Sequence, residues 1–199
     1  MIAKLAKSTA HFFVFKNVID KENEAVYSYG LELLYSSFIN ILLAIVMGIL
    51  TDQLLPITMF MAAFIIIRQY IGGYHSNTHL GCISILAIVL ITFVVVVKYI
   101  TINHEVSITI ISIVLSSCAT YMFAPVEHPN KPLSNEDKIR LRKRGVISIL
   151  LVSILIILLL FWTLTRRYAL YISLGMLTAS TAMVCEIIIH KRKCDEYET

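Results

Sequence analysis

Residues 146–164 read Val-Ile-Ser-Ile-Leu-Leu-Val-Ser-Ile-Leu-Ile-Ile-Leu-Leu-Leu-Phe-Trp-Thr-Leu, nineteen positions without a charge. A helix that crosses a bilayer needs about 20 predominantly apolar residues. Hydrocarbon offers no hydrogen bonds to a backbone, so such a run must satisfy its N–H and C=O groups within itself, as a helix does. Five more segments share the pattern: 31–50, 53–67, 82–97, 105–124 and 168–189. The segment 53–67 is the weakest, because it is short and carries Pro56 near its start; a tilted or partly re-entrant passage, and a five-span count, stay open there. The expected fold is all-α: a polytopic membrane protein of about six transmembrane helices.

The whole chain, 1–199, then reads as one integral-membrane domain. An interfacial region covers 1–30, the bundle 31–189, and a short basic and acidic tail 190–199. No separate soluble domain fits, so any active site must be built from helix ends and short loops. With 58% hydrophobic and only 15% charged residues, the chain is neither intrinsically disordered nor a nucleic-acid-binding module. Four cysteines are too few for a disulfide scaffold of this length. Glu32, Glu105 and Glu186 fall near span ends, where a carboxylate is expected to reach the headgroups.

Lys and Arg are retained on the cytoplasmic side of short loops. With the N-terminus inside, 14 of the 17 basic residues fall on the inner side and only Lys98, Arg166 and Arg167 on the outer. Both termini are therefore expected in the cytoplasm, and the formal charge of +4 reflects topology. The first residues lack the apolar run and small-residue cleavage site of a signal peptide. Ile2, Leu5, Ala6, Thr9, Phe12 and Phe13 can share one helical face, with Lys4, Lys7, Ser8 and His11 on the other. This predicts an N-terminal amphipathic helix on the inner membrane surface. Cys82, Cys118, Cys185 and Cys194 all fall at or near the reducing inner side and are expected to be free thiols.

Between the second and third spans, residues 68–82 read Arg-Gln-Tyr-Ile-Gly-Gly-Tyr-His-Ser-Asn-Thr-His-Leu-Gly-Cys. The Gly72-Gly73 pair permits backbone angles closed to other residues and lets another chain approach. A thiol attacks only as its thiolate, which a neighbouring imidazole can generate or stabilise. Both His75 and His79 precede Cys82. On an unbroken helix His75 would stand about 10.5 Å from Cys82 along the axis, too far for a hydrogen bond, whereas His79 would be a neighbour. A His75–Cys82 pair therefore needs a bend, which Gly81 or the stretch 76–78 can supply. A lone Cys at a span start otherwise serves packing, and a lone loop His is simply solvated. His75, His79 and Cys82 also have the donors for zinc, but no His-Glu-x-x-His acid accompanies them.

The second inner loop, Ala-Pro-Val-Glu-His-Pro-Asn-Lys-Pro-Leu over 124–133, holds Pro125, Pro129 and Pro132 and must be a stiff, extended connector. Ser134 and Asp137 have the spacing of a helix N-cap with an acid at the third helical position. A short helix is predicted from about Asn135 to Arg144, its basic residues at the membrane surface or docking an acidic peptide. Glu127 or His128 can approach the thiol from this loop.

Arg68-x3-Gly72-Gly73-x-His75-x6-Cys82 resembles the signature of the AgrB (accessory gene regulator B) family of Gram-positive quorum sensing. The loop from Ala124 to Pro132 is similar to that family's second marked stretch, and chain size and span number fit as well. The resemblance implies a membrane cysteine endopeptidase that works without a cofactor. It cleaves the C-terminal part of a small AgrD-like precursor peptide and cyclises the remainder to an autoinducing peptide. It implies His75 and Cys82 as the catalytic pair, in preference to His79, and a homodimer in contact with lipid. Arg68, Gly72, Gly73, Glu127 and Lys131 are the expected supporting or substrate-binding residues. Backbone N–H groups around Gly72-Gly73 or Gly81 are candidate oxyanion donors. Arg68 is expected to bind a peptide carboxylate or a lipid phosphate. The competing reading is a non-covalent peptide or lipid transporter or export component, which accounts for six spans but gives Cys82 beside His75 no task. A third is a metal-binding scaffold.

Overall fold

The computed structural model describes residues 2–73, 78–126 and 134–197, with the backbone alone at His79 and over 190–197. Seven α-helices hold most of the described residues, and no strand occurs among them. They are α1 (Ile2–Phe15), α2 (Glu24–Leu50), α3 (Leu54–Ile71), α4 (His79–Tyr99), α5 (Ile102–Phe123), α6 (Asn135–Leu160) and α7 (Arg166–Tyr197). The six from α2 to α7 are long and apolar enough to cross a membrane. The expected all-α, six-span architecture is the one observed.

The segment that looked weakest in sequence is a central helix. α3 is unbroken, because Pro56 falls in its first turn, where a helix leaves N–H groups unbonded in any case. Ile57, Phe60, Phe64, Ile67 and Ile71 form a buried stripe along it. With α7 it is the most enclosed of the six spans. One face packs on protein, while Leu54, Leu55, Ile65 and Ile66 are exposed on the other. Gly175 of α7 lies so close to α3 that a Cβ there would collide with the Phe60 carbonyl oxygen. Phe60 meets Phe93 of α4 in a tilted contact at 4.4 Å between centroids, and Phe93 meets Tyr171 of α7 edge-on at 6.1 Å. Three helices are thus tied by aromatic contacts about one close backbone crossing.

α5 shows the inverted pattern of a membrane helix. Glu105, Thr109, Ser112, Ser116 and Thr120 recur at helical spacing and are buried, while Ile110, Ile111, Val114 and Leu115 point outward. Small polar side chains face protein, where backbones can approach closely, and large apolar ones face lipid.

α6 corrects one expectation. The helix predicted to end near Arg144 continues without a break through the fifth span to Leu160. Its start is as expected: the Ser134 hydroxyl accepts from the Asp137 N–H at 3.1 Å. No breaker follows, and Gly145 is held in the helix against Ile71. α1 is amphipathic and lies along the first half of α2, with Ala6 and Ala10 buried and Thr9 Oγ1 3.0 Å from the Tyr35 hydroxyl. Its buried stripe is rotated from the expected face, and Leu5 and Phe12 are exposed.

Two carboxylates placed at the headgroups by sequence are instead enclosed. Glu105 is 3% exposed and pairs with Arg167. Arg167 also donates to the carbonyls of Val97 and Ile100 and to the Tyr171 hydroxyl. One side chain thus satisfies carbonyls that the end of α4 would leave orphaned, and joins α4, α5 and α7. Glu186 is 7% exposed and lies at the other end of the bundle. Removing Arg167 would strand an enclosed carboxylate. Such a change costs about 3–5 kcal/mol in well-buried pairs, and the partly open Arg167 places it near the lower figure. Arg167→Ala should lower the melting temperature of the detergent-solubilised protein, and adding Glu105→Ala should restore part of the loss. Identical melting of wild type and Arg167→Ala would show the pair to be inert.

Candidate active site

The ends of α3 and α5 meet the starts of α4 and α6 at one end of the bundle. Val126, just past α5, donates its N–H to the Ile71 carbonyl at 3.1 Å. Arg142 of α6 reaches the Tyr121 carbonyl of α5 at 3.3 Å. Both polar loops singled out in the sequence leave the bundle at this end.

The glycine pair makes the junction. α3 ends at Gly72, whose φ of 79° is costly for residues with a side chain, and Gly73 follows at φ 152°. A Cβ on Gly72 would stand 2.7 Å from the Val126 carbonyl oxygen, so glycine admits the second loop's backbone. Gly73 rests against the backbone of Ala182 and Met183 of α7. The close approach expected of this pair is realised. The proposed use of Gly72 and Gly81 as oxyanion donors is not, because both N–H groups are already engaged. Gly72 donates to the Arg68 carbonyl, and Gly81 to Thr78 Oγ1. The Gly73 N–H has no partner among the described residues.

Cys82 lies in the first turn of α4. Thr78 is extended (φ −130°, ψ 144°) and caps the helix, and the Cys82 N–H bonds to its carbonyl at 3.1 Å. The bend between His75 and Cys82 is therefore at Thr78, within one of the two places expected, while Gly81 is an ordinary helical residue. The argument that a continuous helix separates His75 from Cys82 by about 10.5 Å no longer applies. His75, Glu127 and Lys131, with the side chains of His79 and Cys194, lie outside the described residues. No group of three His, Cys, Asp or Glu suited to a metal occurs among the described residues.

The Cys82 thiol is half-buried and has Asn40 Nδ2 of α2 at 3.8 Å. Arg68, half-buried on the last turn of α3, holds its guanidinium 5.2 Å from the centre of the Phe64 ring. It lies within electrostatic reach of both Cys82 and Glu186. Asn40 and Glu186 were not singled out as site residues. A signal for Asn40 was present in the sequence, a strongly polar group within the apolar segment 31–50, whereas Glu186 near the end of its span gave none.

Cys118 and Cys185 are exposed. Cys118 borders an apolar groove of about 520 Å³ between α5 and α6, with Tyr121, Val146 and Leu150 and without an acid or base. Neither thiol has the polar neighbourhood of Cys82.

Comparison with known proteins gives the family. The profile of the family described as Accessory gene regulator B matches residues 1–188. A protein of Clostridium perfringens (strain SM101 / Type A) described as AgrB-like is 30% identical over 188 residues, 88% of each chain. A second, described as AgrB-like protein 2 in strain 13 / Type A of that organism, is 28% identical over the same length and coverage. No solved structure gives a significant match. The chain belongs to the accessory gene regulator B family and so to quorum-sensing peptide processing at a membrane.

Proposed function

We propose that this protein is a membrane cysteine endopeptidase that cleaves an AgrD-like precursor peptide and closes the retained part into a ring. The observation that carries the reading is the setting of Cys82: a half-buried thiol in the first turn of α4, facing Asn40 and within reach of the Arg68 charge. A helix N-terminus favours negative charge, and an adjacent guanidinium does so too. His75, seven residues before, is the base.

His75 takes the Cys82 proton or holds the thiolate as an ion pair. The sulfur attacks a backbone carbonyl carbon of the precursor, and a tetrahedral oxyanion forms. The unengaged Gly73 N–H is a candidate donor to it. When the C–N bond breaks, the protonated His75 gives its proton to the departing amine. The N-terminal part of the peptide is left as a thioester on Cys82. A thiol within the peptide attacks that thioester, its proton passes to Cys82, and a thiolactone leaves; a hydroxyl would give a lactone. One thioester replaces another, so ring closure needs no ATP. The distribution of Lys and Arg supports a cytoplasmic side for both termini and for this site. The resemblance adds a homodimer.

Cys82→Ala should abolish precursor cleavage, whereas Ser at Cys118, Cys185 or Cys194 should leave it intact. His75→Ala should be inactive and His79→Ala should keep substantial activity. Full cleavage by Cys82→Ala would end the proposal, and an inactive but folded His79→Ala would move the base to that residue. A transporter would still move peptide with Ser at position 82.

Topology is tested separately. With the native cysteines replaced, an impermeant thiol reagent should label Asn103→Cys in intact cells and Asn135→Cys only after lysis. Labelling of Asn135→Cys in intact cells would invert the orientation.

A covalent intermediate separates a cyclase from a hydrolase. The tethered thiol of the peptide has an effective concentration that reaches about 10⁵ M in favourable geometries. A precursor lacking that thiol should therefore accumulate as an acyl adduct on Cys82, seen by intact mass and removed by hydroxylamine. Rapid cleavage without adduct, with linear acid as the product even from the unaltered precursor, would show simple hydrolysis.

A further inference from the structure

Asn40 stands well inside the first span, flanked by Phe38, Ile39, Ile41 and Leu42. A carboxamide among such neighbours is costly unless its polar atoms are bonded. Only half of this one is. Nδ2 faces the Cys82 sulfur at 3.8 Å, while Oδ1 is buried without a partner among the described residues. An amide retained for packing would have both ends satisfied or be replaced by Leu of nearly the same shape. Its one bonded end is on the thiol that the proposed chemistry uses.

We propose that Asn40 is a catalytic residue: its carboxamide donates a hydrogen bond to the Cys82 thiolate and holds the sulfur in place for attack. The inference rests on the reading of Cys82 as nucleophile. Charge reaches this corner from Arg68 on α3 and Glu186 on α7, which act at a distance and without direction. Asn40 adds from α2 a neutral, directional donor that cannot compete for the thiol proton. A hydrogen bond made to the charged sulfur favours and orients the attacking form. When the sulfur becomes a thioester it loses that charge, and the amide loses hold of it, so the interaction favours the attacking form over the acylated one. Oδ1, without a partner among the described residues, is left as an acceptor for an N–H of the bound peptide.

The test follows the thiol itself. In protein with Cys118, Cys185 and Cys194 replaced by Ser, Cys82 is alkylated with iodoacetamide, a small neutral probe, at pH 7 and pH 10. Asn40→Leu should slow alkylation about tenfold at pH 7, while the two proteins converge at pH 10, where the thiol ionises without help. Asn40→Gln, which keeps a donor on a longer arm, should fall between them. Precursor cleavage should decline in parallel with the rate at pH 7. If Asn40→Leu elutes as aggregate, Asn40→Ala carries the same expectation. Alkylation at pH 7 equal to or faster than wild type in the folded variant would overturn the inference, even if cleavage were lost, because the amide would then be stabilising the thiol or acting elsewhere. Failure of the parent reading looks different: Cys82→Ala would still cleave precursor, whatever the alkylation rates.

Discussion

The near-contact of α3 and α7 at Gly175 and the Phe60 carbonyl governs the rest of the bundle. Between helices in lipid there is no hydrophobic gain from burial, and close packing has to supply the attraction. Glycine provides it by removing the only atom that would keep the backbones apart. Both helices run from the same end of the bundle. Arg68 lies eight residues beyond Phe60 and Glu186 eleven beyond Gly175, so each reaches the far end on its own helix. A guanidinium and a carboxylate that would otherwise face lipid separately are thereby brought within electrostatic reach of each other and of Cys82.

The two ends of the bundle treat polar groups differently. At one end Arg167 finds a carboxylate, a hydroxyl and two carbonyls, and the arrangement is closed. At the other, Asn40 Oδ1 has no partner among the described residues, the Gly73 N–H is unengaged, and the thiol is half-buried. A buried polar group without a partner is a cost that packing does not explain. Hydroxyls of Thr109, Ser116, Thr120 and Ser180 are also without a hydrogen-bond partner among the described residues along the bundle, but in the proposed function it is the groups beside Cys82 that a substrate would meet.

Much of the fold was legible in the sequence because the bilayer imposes length and apolarity on every span. Six spans, the Ser134 cap, the amphipathic start and the approach of backbone to Gly72 follow from local rules and are found in the structure. What was misread depends on which neighbour a helix has. Segment 53–67 looked weak because it is short and carries Pro56, yet α3 runs on to Ile71 and holds that proline in its first turn. Glu105 and Glu186 were assigned to headgroups because their distance from a span end is visible, whereas Arg167 and Arg68 come from other helices. In the site, the Arg68, Gly72, Gly73 and Cys82 cluster is contiguous and stood out. Asn40 comes from a helix more than forty positions away, and only the folded bundle sets its amide beside the thiol.

Placing the proposed nucleophile where a membrane helix begins also bears on what reaction is favoured. In the proposed chemistry, hydrolysis and ring closure compete for the same acyl group, one through water and the other through a thiol already tethered to it. A site at the end of a helical bundle, with apolar surface around α2 and α4, limits the water that reaches the thioester. The helix start still supplies the polarity that the thiolate requires, since α4 leaves its first N–H groups for capping and for anions. A nucleophile deeper in the span would lose that stabilisation, and one out in the loop would meet bulk water. The first turn of α4 meets both requirements, and the proposed chemistry asks for both.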